Sequence, residues 1–256
     1  MPDILISGPL SALVGGTITW LITVLGSLLV LFFNKVNKKL MAIICGFSAG
    51  IMMSASFWSL LLPAKERAEE AGDSAWLPVT IGFIAGGVFI IAAAKILDII
   101  KKSNADKKES SSRGILILIA VTLHNIPEGL AIGVAFGAAG APESVAAAIA
   151  LTTGIGLQNF PEGAAVSLPI RQDGASRFKS FMCGALSAIV EPISAVIGAL
   201  LAHMAFMLPY VLAFSAGAMI FVTVKELIPE AAEDKKLGAI MIMLGFAAMT
   251  FLDVAL

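Results

Sequence analysis

Long apolar stretches recur along almost the whole chain, and they constrain its fold more than any other feature of the sequence. A helix needs about 20 mainly apolar residues to cross the hydrocarbon core of a bilayer, and eight segments are long enough. The sequence therefore predicts an all-α integral membrane protein with eight transmembrane helices in one domain that covers residues 1–256. The predicted spans cover approximately residues 9–33, 40–62, 76–100, 114–138, 143–170, 178–202, 205–228 and 237–255.

Composition agrees with a lipid environment and argues against one class of partner. Charged residues make up 14% of the chain, whereas soluble globular domains carry about 25%. The net charge is −1 and no basic face stands out, which argues against nucleic acid as a partner. Only residues 101–113 resemble a polar linker, and we predict a flexible loop there.

Basic residues predict the orientation of the spans, because cytoplasmic loops of membrane proteins carry an excess of Lys and Arg. The loops on one side are basic, whereas the opposite side offers only Lys65 and Arg67. The odd-to-even loops are therefore predicted to be cytoplasmic and both termini extracytoplasmic. The basic loop residues are Lys35, Lys38, Lys39, Lys101, Lys102, Lys107, Lys108, Arg113, Arg171, Arg177, Lys179, Lys235 and Lys236.

An internal repeat relates the two halves of the chain. The second span contains FSAGIMMSASFWSLLLPA, from Phe47 to Ala64, and the seventh contains FSAGAMIFVTVKELIPEAA, from Phe214 to Ala232. Because an odd number of spans separates the copies, they cross the membrane in opposite directions, as in inverted-repeat transporters. The sequence thus predicts an inverted repeat of spans 1–3 and 6–8 around a central antiparallel pair, spans 4 and 5.

The central pair carries a second repeat that is rich in polar groups. LHNIPEGLA at Leu123–Ala131 matches LQNFPEGAA at Leu157–Ala165. Ionisable groups inside a bilayer are costly and indicate function by default. The polar positions of the two copies are His124, Asn125 and Glu128 in span 4, and Gln158, Asn159 and Glu162 in span 5.

The chemistry of these groups indicates a divalent metal ion. Imidazole nitrogen with carboxylate oxygens suits zinc, iron, manganese and related ions, and the i,i+4 spacing puts His124 and Glu128 on one helical face. A helix-interior proline, Pro127 or Pro161, lies between the polar positions of each copy, which predicts broken helices lining a wet cavity or binding site. No cofactor is expected.

Other polar and sulfur-containing residues are assigned more loosely. Glu191 is a third buried carboxylate beside a proline, and we interpret it as completing the metal site. For three further residues the sequence leaves two roles open, lining the cytoplasmic exit or anchoring the helices at the interface. These residues are Asp98, Glu226 and Glu230. Cys45 and Cys183 lie in apolar runs and are interpreted as small packing residues.

The paired motifs HNIPEG and QNFPEG, in spans four and five of eight, resemble the Zrt/Irt-like protein (ZIP) family of metal transporters, here a bacterial-type member. The resemblance implies uptake of divalent metal, zinc first, across the plasma (inner) membrane into the cytoplasm, by an elevator-like slide of the central helices. It implies a primary site formed by His124, Glu128, Gln158 and Glu162. It implies a second site formed by Asn125, Asn159 and Glu191, which shares Glu128 and Glu162 as bridging ligands.

The resemblance also assigns Met52 to an outer-side gate, and two departures from the family pattern limit it. The 101–113 loop contains no histidine, so metal sensing by that loop is not expected. Asn159 stands where some members place an aspartate, which makes a single metal site more secure than a two-metal centre. A homodimer is left open, because close-packing glycine pairs such as Gly133 and Gly137, or Gly82 and Gly86, serve monomers and dimers alike.

Two other functions fit parts of the sequence. An intramembrane metal-dependent hydrolase would use Glu128 or Glu162 to activate a metal-bound water, but the H-E-x-x-H motif is absent and His203 is poorly placed. A passive or proton-conducting channel would use buried carboxylates as a filter. The repeated His/Asn/Glu cluster favours metal coordination over both.

Overall fold

The computed structural model describes residues 8–32, 38–72, 74–103, 109–172, 174–204 and 206–255. Every regular element in these ranges is helical, so the all-α prediction is confirmed for the described part of the chain. The α-helices are α1 Pro9–Ser27, α2 Leu29–Phe32, α3 Lys38–Ala55, α4 Leu62–Glu70, α5 Trp76–Ser103, α6 Glu109–Ala138, α7 Pro142–Gln172, α8 Arg177–Ser187, α9 Val190–Ala202, α10 Leu208–Val222, α11 Ile228–Ala231 and α12 Lys235–Ala255. Two π-helical turns, Ser56–Leu61 and Thr223–Leu227, and the 3-10 turn Ala232–Asp234 join some of them.

Five stretches of the described helices are long and apolar enough to cross a membrane. They are Pro9–Phe32, Ala42–Glu70, Trp76–Ile96, Arg177–Ala202 and Leu208–Ala255, and the last contains predicted spans 7 and 8. Helices α6 and α7 occupy the positions predicted for spans 4 and 5. In α7 the motif residues Gln158, Asn159 and Glu162 take the place of apolar side chains near the middle of the helix, which lowers its hydropathy.

The motif prolines do not break their helices. α6 continues through Pro127, and α7 continues past Pro161 to Gln172, so the prediction of broken helices in spans 4 and 5 is wrong. Proline removes a single backbone hydrogen bond, and packing against neighbouring helices can compensate for that loss in a membrane bundle. Of the spans that carry predicted metal ligands, it is the sixth that is interrupted, at residues 188–189 between α8 and α9.

The helices pack as two groups of four predicted spans. The first, which we call the site group, contains α1, α6, α7 and the α8–α9 pair, with α1 packed on α7 and α6 packed on α9. The second, which we call the frame group, contains α3–α4, α5, α10–α11 and α12, with α3 packed on α12 and α5 packed on α10. The first predicted span therefore packs with the central pair rather than with spans 2 and 3.

Glycines let the helices within each group approach at backbone distance. A Cβ atom added to Gly133 of α6 would collide with the backbone of Ala195 in α9, and one added to Gly86 of α5 would collide with the backbone of Phe214 in α10. The predicted role of these glycine pairs in close packing is confirmed. Between the groups the contact is different. Among the described glycines only Gly154 of α7 has a contact that crosses from one group to the other, and it meets the side chains of Met249 and Ile51.

The two FSAG segments fold alike. The first π-helical turn begins at Ser56 and the second at Thr223, each at the same distance along the chain from the phenylalanine of its FSAG segment. A proline follows each turn within two residues, Pro63 or Pro229. Such π-turns are rare and often occur at functional sites, and here both lie in the frame group.

Candidate metal centre

Three side-chain amides are hydrogen bonded to three carboxylates where α6, α7 and α9 meet. The amide nitrogen of Gln158 on α7 donates to Oε1 of Glu128 on α6. In the opposite direction, Nδ2 of Asn125 on α6 donates to Oε1 of Glu162 on α7 at 3.0 Å. Each pair therefore joins two different helices, and the repeated motif is held face to face.

The third pair extends this cluster to the sixth predicted span. Nδ2 of Asn159 on α7 donates to Oε1 of Glu191 on α9 at 2.8 Å. The structure thus brings together six of the seven residues that the sequence predicted as metal ligands. We call them the carboxylate–amide cluster: Asn125, Glu128, Gln158, Asn159, Glu162 and Glu191.

The cluster is almost entirely enclosed by protein. Five of its six residues are at most 1% exposed, and Glu162 is partly buried. The amide oxygens Oδ1 of Asn125, Oε1 of Gln158 and Oδ1 of Asn159 are buried and have no hydrogen-bond partner among the described residues. Buried polar atoms are normally paired, so three unpaired amide oxygens in one cluster require an explanation. An oxygen-binding cation would supply it, because carboxylate and amide oxygens are ligands of divalent metals.

The side chains of two predicted residues, His124 and Asp98, are outside the part of the chain that the structure describes. His124 belongs to α6, one turn before Glu128, and Asp98 belongs to α5. Within the described residues, no three His, Cys, Asp or Glu side chains are close enough together to hold a metal ion. Among the described residues, the ligands that the carboxylate–amide cluster offers to a metal are therefore amide oxygens as well as carboxylates.

The interruption between α8 and α9 positions Glu191. The carboxylate belongs to the first turn of α9, directly after the break. Two carbonyl groups before the break accept hydrogen bonds from neighbouring helices: Ala185 from Nε1 of Trp20 at 2.8 Å, and Ser187 from Nδ2 of Asn125 at 3.1 Å. A side chain of the cluster thus also stabilises the helix break that delivers Glu191.

Sequence reasoning missed Thr19, which contacts the cluster from α1. The Thr19 hydroxyl is fully buried, donates to Oε2 of Glu191, and also lies 3.1 Å from the carbonyl oxygen of Gly16. Gly16 makes this contact possible, because a Cβ there would lie 2.9 Å from Cα of Pro192. Threonines in apolar helices usually bond to their own backbone, so the sequence carried no signal for this contact.

The remaining predicted residues lie away from the cluster, except Met52. Met52 is 1% exposed, lines a small cavity beside Gln158 and Glu162, and its sulfur accepts a hydrogen bond from Thr223 at 3.6 Å. Glu226 and Glu230 are exposed, and Glu226 lies 3.9 Å from the ammonium of Lys225. The Lys225 contact fits the interface-anchoring role.

Comparisons with known proteins identify the family of this chain. The model of the ZIP zinc transporter family matches residues 98–253. The chain is 35% identical to the zinc transporter GufA of Myxococcus xanthus, over 98% of this chain and 99% of that protein. It is 38% identical to the zinc transporter ZIP11 of Bos taurus, over 96% and 97% of the two chains, and 36% identical to the zinc transporter ZupT of Chlorobium luteolum, over 89% and 91%. The chain therefore belongs to the ZIP family of zinc transporters.

Proposed function

We propose that this protein carries divalent transition-metal cations, zinc first, through the membrane by way of the carboxylate–amide cluster. One observation supports the proposal most directly. The nitrogens of three buried amides donate hydrogen bonds to carboxylates of other helices, while the amide oxygens have no partner among the described residues. A cation that binds the carboxylates replaces the amide N–H donors. Rotation of the Gln158 and Asn159 amides about their last bonds then turns their oxygens toward the cation.

The proposed ligands divide as the family resemblance implies. His124, Glu128, Gln158 and Glu162 hold the primary cation, and Asn125, Asn159 and Glu191 extend the site. Amide oxygens are weak ligands beside carboxylates, which suits a cation that must leave again after it binds. Zinc, iron(II), manganese, cobalt and cadmium all accept this set of ligands, so their relative uptake is a property to measure.

We further propose eight spans with inverted symmetry in an inner membrane, with both termini extracytoplasmic, and with residues 1–256 forming one transporter domain. Two observations support the symmetry. Exchanging spans 1–3 with 6–8, and span 4 with 5, converts the α3–α12 pair into the α10–α5 pair and the α1–α7 pair into the α9–α6 pair. The two π-turns also lie at matching positions of the FSAG segments.

An elevator-like motion fits the division into two groups. The site group would slide against the frame group and carry the cluster with it, with Met52 of the frame group as a gate. Backbone-to-backbone glycine contacts lie within the groups, whereas Gly154 meets only side chains of the frame group. Side-chain contacts of this kind can exchange partners during a slide more easily than interlocked backbones.

Metal uptake into liposomes that contain the purified protein tests the proposal. Zinc, iron(II), manganese and cadmium are supplied separately to the wild type, to Glu162→Ala and to the control Glu143→Ala, whose side chain is exposed near the start of α7. We expect saturable uptake in the wild type and in Glu143→Ala, and a loss of about 100-fold in Glu162→Ala, equivalent to about 2.8 kcal/mol. Equal uptake in all three proteins would refute the site.

The hydrolase alternative is not favoured, because the relatives that match this chain over most of its length are named as transporters. A liposome result would still separate the two functions. Tight metal binding without flux of any ion would favour the hydrolase.

A further inference from the structure

We propose a further cation site, which we call the exit site, that receives the metal as it leaves the carboxylate–amide cluster. It is formed by Cys45 and Ser48 of the frame group and by Gln158 and Glu162 of the site group. The proposed site is a cavity of about 30 Å³ between α3 and α7. Its volume accommodates one small ion, since a single water needs about 10–15 Å³ by the same measure. This inference rests on the proposed transport function, because the exit site and the carboxylate–amide cluster share Gln158 and Glu162.

The cavity is lined by residues whose buried polar atoms have no hydrogen-bond partner in the described part of the chain. Ser48 is 3% exposed, and its hydroxyl has no hydrogen-bond partner among the described residues. Oε1 of Gln158, which lines the same cavity, is also buried and without a described partner. A serine that merely fills space in a membrane helix usually bonds to the carbonyl one turn earlier, as Ser56 does with Met52. Ser48 does not, so its hydroxyl is available for a ligand.

Cys45 supplies a kind of ligand that the carboxylate–amide cluster lacks. Its side chain is 2% exposed and lines the cavity one turn of α3 before Ser48. Thiolates select zinc and similar soft ions, whereas carboxylate and carbonyl oxygens alone suit manganese and magnesium equally well. The thiol loses its proton as the cation binds, because the thiolate is the ligand form. This role differs from the packing role that the sequence alone indicated for Cys45.

The position of the cavity assigns it to the exit side of the transport path. Along α7 the lining residues run from Gln158 through Glu162 to Ala165, and along α3 they run in the opposite direction from Met52 to Cys45. Under the proposed orientation both series approach the cytoplasm. A cation released by Glu162 therefore meets Ser48 and Cys45 of the frame group before it reaches the cytoplasmic end of the bundle.

Cadmium provides a direct spectroscopic test, because Cd²⁺ bound to a thiolate absorbs in the near ultraviolet through ligand-to-metal charge transfer. The chain has only two cysteines, so single substitutions separate them. Purified full-length protein in detergent is titrated with Cd²⁺ as the wild type, as Cys183→Ala, and as Cys45→Ser, which retains nearly the same side-chain volume. We expect the band in the wild type and in Cys183→Ala, and none in Cys45→Ser. A band that follows Cys183, or no band in Cys183→Ala, would overturn the proposal.

Two further variants link the band to the cavity. Ser48→Ala should weaken Cd²⁺ binding at Cys45 by about tenfold, which corresponds to about 1.4 kcal/mol. Ser54→Ala is the matched control, since Ser54 is buried on α3 but its hydroxyl pairs with Thr250 at 2.9 Å. Equal effects of the two substitutions would contradict a specific role for Ser48.

Uptake measurements distinguish a failure of the exit site from a failure of the proposed transport function. In liposomes, Cys45→Ser should lower the ratio of cadmium to manganese uptake by about tenfold while manganese uptake continues. If wild-type uptake is saturable and depends on Glu162 but the ratio of cadmium to manganese uptake is unchanged in Cys45→Ser, the exit site is wrong and the transport function stands. If the wild type moves no metal, both the transport function and the exit site are wrong.

Discussion

The site group and the frame group share the same packing and differ in what they bury. In both groups glycines bring paired helices to backbone distance. Among the described residues, however, every fully buried amide and carboxylate side chain lies in the site group, whereas the fully buried polar residues of the frame group are serines and threonines and its Asp253 is only partly buried. Hydroxyls can bond to their own helix and cost little in an apolar environment, but a buried carboxylate is expensive. The difference places the costly buried carboxylates in the site group, which we propose to bind the ion first.

The largest effect should appear when the shared packing is disturbed, and it should be alike in the two groups. Gly133→Val in the site group and Gly50→Val in the frame group both force a side chain into the backbone of a neighbouring helix. Overpacking of this kind costs about 3 kcal/mol. Unfolding by denaturing detergent in mixed micelles measures the loss, with Gly140→Val as the control because nothing lies within 4 Å of a Cβ there. A large loss in only one group would break the comparison.

The second-largest effect should follow the removal of a carboxylate charge, and it should distinguish the site group from the frame group. Glu128→Gln keeps the shape of the side chain but removes a charge from the carboxylate–amide cluster, and we expect zinc affinity to fall by about 100-fold. Isothermal titration of the purified protein measures this change. The frame-group control is Ser215→Ala, a buried residue of α10. Similar zinc affinities in the wild type and Glu128→Gln would remove the cluster from consideration as the metal site.

Thr19 tests whether α1 takes part in the metal site or only packs beside it. Thr19→Val removes the hydroxyl that donates to Glu191, and loss of such an outer-shell partner costs about tenfold in metal affinity. Thr19→Ser should restore binding. Thr23→Val is the matched control, because Thr23 is also fully buried on α1 but, within the described part of the chain, its hydroxyl bonds only to the carbonyl of Thr19, at 3.3 Å. Equal losses in Thr19→Val and Thr23→Val would indicate a packing role instead.

The smallest effect is expected at the exposed end of the frame group. Glu226 forms a solvent-exposed contact with Lys225, and exposed pairs contribute little. Glu226→Gln should change the initial rate of zinc uptake by less than about twofold. A loss comparable to that in Glu162→Ala would instead assign Glu226 to the transport path.

The sequence predicted the parts of the molecule that are encoded locally. Hydropathy located the helices, and the repeated motif contains five of the six residues of the carboxylate–amide cluster, because both signals lie within short segments. Contacts between distant segments were not predictable in this way. Thr19 and Glu191 are far apart in the chain, and no property of either residue predicts that they are in contact.

The helix break shows a second reason for the difference. Pro127 and Pro161 suggested breaks in α6 and α7, yet among the site-bearing spans the interruption lies before Glu191. There Trp20 and Asn125 donate hydrogen bonds to the buried carbonyl groups of Ala185 and Ser187. Proline removes one hydrogen bond wherever it occurs. Whether the helix then breaks depends on which neighbours can satisfy the freed groups, and those neighbours come from the tertiary structure.

Anomalous diffraction at the zinc absorption edge, from crystals of the wild-type protein grown with zinc, tests the central claim most directly. We predict a zinc peak inside the site group, bound by Glu128 and Glu162 with at least one of the amide oxygens of Asn125, Gln158 and Asn159 turned toward it. Zinc found only at exposed side chains such as His203, with the amide nitrogens still bonded to the carboxylates, would contradict the claim.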